Sequence, residues 1–190
     1  MEVTAVVDRR SARVHALDPD AELVAAARAH PREFLALYDR YFERVLGYVR
    51  LRIRDAATCE DVTSQVFTTA LEQLSRFRGD GSFAGWLFRI AGNAVHDVHR
   101  RRAAEPLIDD RADPSPSPEE LVLARERVHR LRVLITDLRA EQQHLLALRY
   151  GAGLAFEEIG PMVGASPGTA RVRLHRILEE LRRRYPHDDA

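Results

Sequence analysis

A run of basic and hydroxyl side chains near the carboxyl terminus, "TARVRLHR" (169–176), has the spacing needed to bind DNA. Apolar residues recur through it at helical intervals, which leaves another side of the same helix polar. Arginine reads guanine edges in the major groove, and arginine or hydroxyl side chains bind phosphates. The segment therefore predicts a DNA-contacting helix, with an ordinary solvated helix surface as the alternative that these residues alone leave open. Its polar positions are Thr169, Arg171, Arg173, His175 and Arg176, and its apolar positions are Val172, Leu174, Ile177, Leu178 and Leu181.

The residues before this helix, "EEIGPMVGAS", predict the first helix and the turn of a helix-turn-helix. Ser166 is placed to cap the second helix, with Pro167 at its first position. Pro161 lies inside the first helix, and Ala155 occupies the position where a capping hydroxyl would help. We therefore expect the first helix to start late or be distorted. It would be held to the core by Ile159, Met162 and Val163.

A second polar stripe lies in the amino-terminal half. From Phe83 to Val98, apolar residues follow the helical template, and Ser82 is placed as the cap. The loop before it, "SRFRGDGS" (75–82), breaks the helix with two glycines. The predicted apolar positions are Phe83, Trp86, Leu87, Ile90, Ala91, Ala94, Val95 and Val98. The polar stripe consists of Arg89, Asn93, His96 and Arg100.

The same stretch allows a metal site to be considered. His96 and His99 lie three residues apart with Asp97 between them, which places both imidazoles on neighbouring positions of a helix. No third ligand is evident, and the flanking arginines repel cations. Phosphate-binding loops, nucleophile elbows and paired catalytic carboxylates are also absent from the sequence. We expect no enzyme, no metal and no cofactor.

The remaining periodicity predicts an all-α protein of two small helical domains. Further helices are expected over Asp20–His30, from Phe34 to Val49, over Thr58–Leu74 and over Ala140–Tyr150. The apolar side of the helix predicted over Thr58–Leu74 consists of Val62, Val66, Phe67, Ala70, Leu71 and Leu74. Another helix should begin at the capping signature Ser117-Pro118-Glu119-Glu120 and continue its apolar side through Val128, Leu131, Leu134, Ile135 and Leu138.

Charge and composition agree with a two-part chain. The 190 residues have a formal net charge of zero, but residues 31–102 carry twelve Arg against nine acids and residues 121–186 carry twelve Arg against seven. Residues 103–120 hold four prolines and six acids against one Arg, which predicts a solvated, flexible acidic linker. The single Cys59 excludes an internal disulfide framework, and no apolar run suits a membrane span or a secretory signal.

Together, the two halves resemble a known family. The run "CEDVTSQVFTTALEQLSRFRGDGSFAGWLFRIAGNAVHDVHRRR" resembles region 2 of bacterial sigma-70 family sigma factors, and "LRAEQQHLLALRYGAGLAFEEIGPMVGASPGTARVRLHRILEEL" resembles region 4. The small size, with only the linker between the two, is similar to the extracytoplasmic-function (ECF) group. The implied organisation is a tail (1–19), a region 2-like domain (20–102), the linker (103–117) and a region 4-like domain (118–185).

The resemblance implies a role for each surface. Region 2 would bind the β′ clamp helices of RNA polymerase through Glu60, Asp61, Gln65 and Phe67, although Thr63, Ser64 and Gln65 depart from the family pattern. It would engage the −10 element through Arg76, Phe77, Arg78, Asp80, Ser82, Arg89, Asn93, His96 and Arg100. Region 4 would bind the β flap and read the −35 element, with Arg171, His175 and Arg176 on bases and Ser166, Thr169 and Arg173 on phosphates.

The resemblance further implies a cytoplasmic protein that binds core polymerase and promoter DNA, is not inserted in a membrane, and has an anti-sigma factor as partner. Two other interpretations stay open at this stage. A standalone helix-turn-helix regulator explains residues 121–184 but gives the first half no task. A sigma-like protein that has lost polymerase activity is consistent with Pro161 and with the altered 63–65 stretch.

Overall fold

Every regular element among the residues that the computed structural model describes (18–79, 81–104, 128 and 130–185) is helical. The first bundle contains α1 (Ala21–Ala29), α2 (Phe34–Arg50), α3 (Ala56–Gln73) and α4 (Phe83–Ala104), with 3₁₀ turns at Pro31–Glu33 and Leu74–Arg76. The second bundle contains helical residues 130–136, α5 (Ala140–Leu146), a π-helical turn (Ala147–Gly151), α6 (Phe156–Met162) and α7 (Pro167–Arg184). The predicted all-α, two-domain fold is confirmed. Helix α4 extends to Ala104, two residues into the predicted linker, and the rest of the linker and the start at Ser117 lie outside the described residues.

The first bundle buries the apolar sides of α2, α3 and α4 against one another, and α1 closes it. Asp20, before α1, is fully buried: the Tyr41 hydroxyl donates to its carboxylate, and the Arg40 guanidinium lies 3.1 Å from it. Burial, and then the bond to Asp20, raise the pKa of Tyr41 well above its usual value. A buried carboxylate is tolerated only with such partners. They fix α1 to α2.

The second bundle places α6 and α7 around a core that includes Leu148, Leu154, Ile159 and Leu174. The predicted apolar side of residues 128–138 is only partly buried, because Val128 and Leu131 are exposed while Leu138 is buried. Within the described part of the chain, no helix is both long and apolar enough to cross a membrane.

The expectation that α6 starts late is wrong. The helix begins at Phe156, directly after Ala155, because the Glu158 carboxylate accepts a hydrogen bond from the Ala155 backbone N–H at 2.8 Å. This side chain, three residues into the helix, replaces the missing hydroxyl cap. Pro161 is the last residue but one of the helix and is exposed. It therefore removes a single hydrogen bond close to the carboxyl end, where the helix terminates in any case.

Burial also differs from the prediction at three apolar residues. Leu71 and Val172 were assigned to buried sides, yet their side chains are 44% and 51% exposed. Phe88 was left out of the buried side of α4 and is fully buried. In each case tertiary packing decides which apolar residue at the margin of the helical stripe becomes core.

Candidate nucleic-acid interface

The outer side of α4 carries a continuous polar stripe, which we call the α4 face: Arg89, Asn93, His96 and Arg100. All four side chains are exposed, and they follow one another at steps of four, three and four residues, which keeps them on one side of the helix. The opposite side is anchored in the core by Phe83, Leu87, Phe88, Ala91 and Val95. The Ser82 hydroxyl caps the helix by accepting from the Gly85 N–H at 3.1 Å, as predicted.

The loop before α4 is built on a buried aromatic ring. Phe77 is only 5% exposed, and its ring packs 6.0 Å from Phe83 and 5.3 Å from Trp86. The Arg28 guanidinium lies 5.9 Å from the Phe77 ring, while its Nε donates to the Leu74 carbonyl at 3.2 Å. The ring thus supports the loop and does not present a free stacking surface in this arrangement.

The other loop candidates are more accessible. Arg76 and Arg78 are exposed, so both guanidinium groups can meet a phosphate or a base. Gly79 and Gly81 have φ angles of 75° and 157°, which favour glycine and give the loop its sharp path. Asp80 lies outside the described residues. Asp18 anchors the end of the loop, because its carboxylate accepts from the Phe83 N–H at 2.9 Å.

Of the four candidate polymerase-binding residues on α3, three are exposed and one is buried. Glu60, Asp61 and Gln65 are exposed, whereas Phe67 is 4% exposed and packs on the Tyr38 ring at 4.7 Å. Leu71, which sequence reasoning placed in the core, is an exposed apolar residue on this helix. Periodicity alone gave no signal of its exposure.

Two of the residues that depart from the family pattern have different surroundings. Thr63 is fully buried, and its hydroxyl donates to the Cys59 carbonyl at 2.7 Å. Its hydroxyl is thereby satisfied inside the bundle. The Gln65 side-chain amide lies outside and donates to the Thr69 hydroxyl at 3.1 Å. Of these two, only Gln65 is available to a partner.

On α7, the candidate DNA-binding residues form what we call the α7 face: Ser166, Thr169, Arg171, Arg173, His175 and Arg176. All six are exposed. The helix is fixed beneath them by Ala170, Leu174, Ile177 and Leu181, which are buried at steps of four, three and four residues. The predicted cap is confirmed: the Ser166 hydroxyl accepts from the Thr169 N–H at 3.1 Å and lies 2.8 Å from the Thr169 hydroxyl.

Arg171 is held over an aromatic ring. Its guanidinium carbon lies 5.1 Å from the centroid of the Phe156 ring, and the guanidinium carbon of Arg149 lies at the same distance from that ring. Arg149 is itself anchored, since it donates to the Leu154 carbonyl at 2.8 Å. Such contacts restrict the orientation of a guanidinium before a partner binds. Sequence reasoning did not identify Phe156.

Two further features of α7 bear on recognition. Val172 is an exposed apolar side chain among the arginines, which suits contact with a thymine methyl group. The His175 imidazole lies 3.6 Å from the Glu179 carboxylate. Arg173 and Arg176 also border a groove of about 930 Å³ that has Leu145, Met162, Val163 and Ile177 on its apolar lining.

The geometry gives no support to a metal site at His96–His99. Asp97 is paired with Arg100 at 3.1 Å. Among the residues described, no group of three or more His, Cys, Asp or Glu side chains lies close enough to hold a metal ion.

Each half of the chain matches the model of a known protein family. Residues 37–105 match the family described as Sigma-70 region 2, and residues 134–183 match Sigma-70, region 4. The RNA polymerase sigma factor CarQ of Myxococcus xanthus is 33% identical over 78% of this chain and 87% of its own length. The ECF RNA polymerase sigma factor ShbA of Streptomyces griseus is 33% identical over 90% of this chain and 92% of its own length.

Solved structures share the fold. CnrH, in complex with the cytosolic domain of CnrY, aligns with a TM-score of 0.69 at 24% identity, over 90% of this chain and 100% of that one. The sigma factor RpoE in complex with the anti-sigma factor NepR from Bartonella quintana aligns with a TM-score of 0.60 at 16% identity, over 80% and 96%. At these identities the likeness speaks for the fold alone.

Proposed function

Because this chain belongs to the ECF group of RNA polymerase sigma factors, we propose that its two bundles divide promoter recognition between them. The membership confirms the resemblance read from the sequence. It assigns the chain a role in transcription initiation and no catalytic step of its own. The proposed units are residues 20–102 for the −10 element and polymerase, and residues 118–185 for the −35 element, joined by 103–117 after a tail of 1–19.

The observation that carries the division of labour is the pair of exposed polar helix sides, one in each bundle. The α4 face has the form of a track for a single strand: two arginines, an amide and an imidazole over about three helical turns. With Arg76, Phe77, Arg78, Asp80 and Ser82 in the adjoining loop, it would engage the −10 element. Phe77 would act there as the buried support of the loop.

The α7 face suits duplex DNA, because its arginines emerge from the amino-terminal turns of the second helix of a helix-turn-helix. Arg171, His175 and Arg176 would read base edges, while Ser166, Thr169 and Arg173 would bind phosphates. We add Val172 as a contact for a thymine methyl group, on the strength of its 51% exposure.

Core polymerase would be the protein partner. On α3, Glu60, Asp61 and Gln65 would dock the β′ clamp helices, with Phe67 supporting the surface from inside and exposed Leu71 adding apolar contact. The groove beside Arg173 and Arg176 would receive the β flap, because it combines an apolar lining with a basic rim. An anti-sigma factor is proposed as a second partner, since the similar sigma factor RpoE was solved with one. We accordingly propose that the protein acts in the cytoplasm.

Run-off transcription tests the proposal. Bacterial core polymerase with and without this protein would be supplied with a genomic fragment library, and transcript start sites would be mapped. New starts that share −35 and −10 elements at a common spacing are expected. Absence of new starts together with absence of core binding would leave the standalone regulator, or a sigma-like protein without polymerase activity, as the better account.

A further inference from the structure

The loop before α4 is held at both ends by side chains from the amino-terminal part of the chain. At its beginning, Arg28 Nε donates to the Leu74 carbonyl at 3.2 Å, and the Arg28 guanidinium carbon lies 5.9 Å from the centroid of the Phe77 ring. At its end, the Asp18 carboxylate accepts from the Phe83 N–H at 2.9 Å. Both anchors thus belong to α1 and the residues just before it, 46 and 65 positions from their partners in the chain.

The Asp18 anchor lies at the amino terminus of α4. The Ser82 hydroxyl caps that helix through the Gly85 N–H at 3.1 Å, so the Phe83 N–H is a separate donor that the helix itself cannot satisfy. A carboxylate at this place forms a charge-assisted hydrogen bond and lies at the positive end of the helix dipole. The other oxygen of the same carboxylate accepts from the Asp20 N–H at 3.2 Å. Asp18 therefore joins the start of α4 to the start of α1.

Helix α1, which carries the second anchor, is itself fixed to the core of the bundle. Val24 and Ala27 on its inner side are buried. Asp20, directly before it, is fully buried and accepts from the Tyr41 hydroxyl of α2. Movement of α1 away from the bundle would deprive this buried carboxylate of its partner, which is costly. The core thus fixes α1, and α1 fixes the loop.

Between the two anchors, the loop contains residues whose backbone has unusual freedom. Gly79 and Gly81 have φ angles of 75° and 157°, in the region that favours glycine. The exposed side chains of Arg76 and Arg78 lie on this stretch. A guanidinium reads a base edge only within hydrogen-bond distance and at the right angle, so a displacement on the order of 1 Å is enough to lose the contact. The position of these arginines therefore depends on how the ends of the loop are held.

We propose that Asp18 and Arg28 are positioning residues for −10 recognition, which set where Arg76 and Arg78 lie and so determine sequence selectivity without contacting a base. The inference rests on the proposed function, because that function assigns the loop to the −10 element. A carboxylate repels phosphates, so Asp18 acts through the loop that it holds. Selectivity is a difference between affinities. Loss of an anchor should therefore weaken the preferred −10 sequence most and other sequences little.

Four variants of the full chain test the two anchors. Asp18→Ala removes the acceptor, whereas Asp18→Asn keeps a side-chain oxygen that can accept from the Phe83 N–H. Arg28→Met keeps the apolar stem but removes the donor and the charge, and it decides the matter if Asp18→Ala folds poorly. Glu22→Ala is the matched control, because Glu22 is an exposed acidic residue in the first turn of α1.

Two measurements separate positioning from stability. Amide hydrogen exchange, followed by mass spectrometry, reports the loop in the protein alone. Exchange over residues 74–85 should rise in Asp18→Ala and Arg28→Met, while exchange in α2 should match the parent. Selectivity is then measured with core polymerase on templates that carry one mapped −35 element and a randomised −10 element, by sequencing the transcripts.

In Asp18→Ala and Arg28→Met, we expect the preference for the best −10 sequence over the median one to fall about tenfold, a typical discrimination by one base contact. Asp18→Asn and Glu22→Ala should keep the parent preference. The inference is overturned if folded anchor variants keep the parent exchange or the parent preference, if transcription falls equally on every −10 sequence, or if Glu22→Ala has the same effect. Absence of transcripts with the parent protein would instead count against the proposed function, and hydrogen exchange would still test the anchors.

Discussion

The two candidate DNA-binding faces are built alike but differ in what covers them. Each is a helix with polar residues on one side and core residues at steps of three and four on the other. The α4 face lines a cleft that it shares with the second bundle, whereas the groove beside the α7 face is lined by second-bundle residues alone. A helical stripe therefore establishes the chemistry of a surface, while packing of the two bundles determines whether that surface is accessible.

Because of this difference, we expect the free energies of DNA binding through the α4 face and through the α7 face to depend on different contacts. Binding through the α7 face should depend on contacts within the second bundle. Binding through the α4 face should depend on how the loop before α4 is held within the first bundle. Perturbations of the first bundle and perturbations of α7 should consequently affect different DNA probes.

The largest effect is expected from acidification. Burial, and then the Arg52 guanidinium, lower the pKa of His144 from its ordinary 6.5 to about 4, so the unfolded chain binds more protons than the folded chain between these values. The contribution of His144 to the free energy of unfolding is then largest above about pH 6.5 and falls by about 3 kcal/mol as the pH falls toward 4. The groups facing the imidazole are the Tyr48 hydroxyl and the Arg52 guanidinium, with Glu141 in the same cleft. Denaturant unfolding at a series of pH values over this range measures the fall.

The control for acidification is His144→Asn, which cannot be protonated in this range. It should abolish this part of the pH dependence of the free energy of unfolding, whatever it does to stability at neutral pH. An unchanged pH profile in this variant would mean that another group is responsible for the fall.

Arg171→Ala should give the next largest effect, on the other face. Loss of a bidentate base contact costs about 1–3 kcal/mol, or roughly 5- to 150-fold in affinity for a −35 duplex. Fluorescence anisotropy with a mapped promoter measures it, and Arg176→Ala is expected to act similarly. The same loss should appear in the Asp18→Ala background. A loss that depends on that background, or equal losses on specific and random duplexes, would contradict the assignment.

Much of this architecture followed from the sequence, because the helices are amphipathic and their ends carry local signals. Ser166 with Pro167, and Ser82 before α4, identified two helix starts that the structure confirms. The start of α3 was placed at Thr58, but the helix begins at Ala56, after Asp55, whose carboxylate accepts from the Thr58 N–H at 2.7 Å. An acidic cap three residues upstream was available in the sequence and was overlooked.

Other features depend on contacts between distant residues and leave no local pattern. Gly47 reads as an unremarkable glycine within a helix, and only the opposing Gly151 explains it. The position of Phe156 beneath two guanidinium groups arises only because Arg149 and Arg171 reach the same ring from different elements. Pro161 led us to expect a late start of α6 that the structure does not show. The local rule against proline inside a helix has little weight here, because Pro161 lies next to the last residue of α6.

Val172 tests whether the α7 face also reads an apolar group. Its exposed side chain should bury a thymine methyl group, worth about 0.8 kcal/mol or roughly fourfold in affinity. Replacing one thymine at a time with deoxyuridine in the mapped −35 duplex should reveal one position with this loss. Val172→Ala should weaken the thymine duplex and make that position insensitive. If every deoxyuridine duplex binds like the parent, Val172 makes no such contact.

The smallest expected effect comes from Phe156→Leu, which removes the ring beneath Arg171 but keeps an apolar side chain. Cation–π contacts at exposed sites are worth about 0.5–1 kcal/mol, so −35 affinity should fall roughly two- to fivefold. The salt dependence of binding should stay the same, because no charge is lost. Phe156→Tyr retains the ring and is the control. In the Arg171→Ala background, Phe156→Leu should cost nothing further, since the guanidinium that the ring orients is absent. An additive loss there would show that Phe156 acts on stability alone and that the α7 face is not preorganised by the residues beneath it.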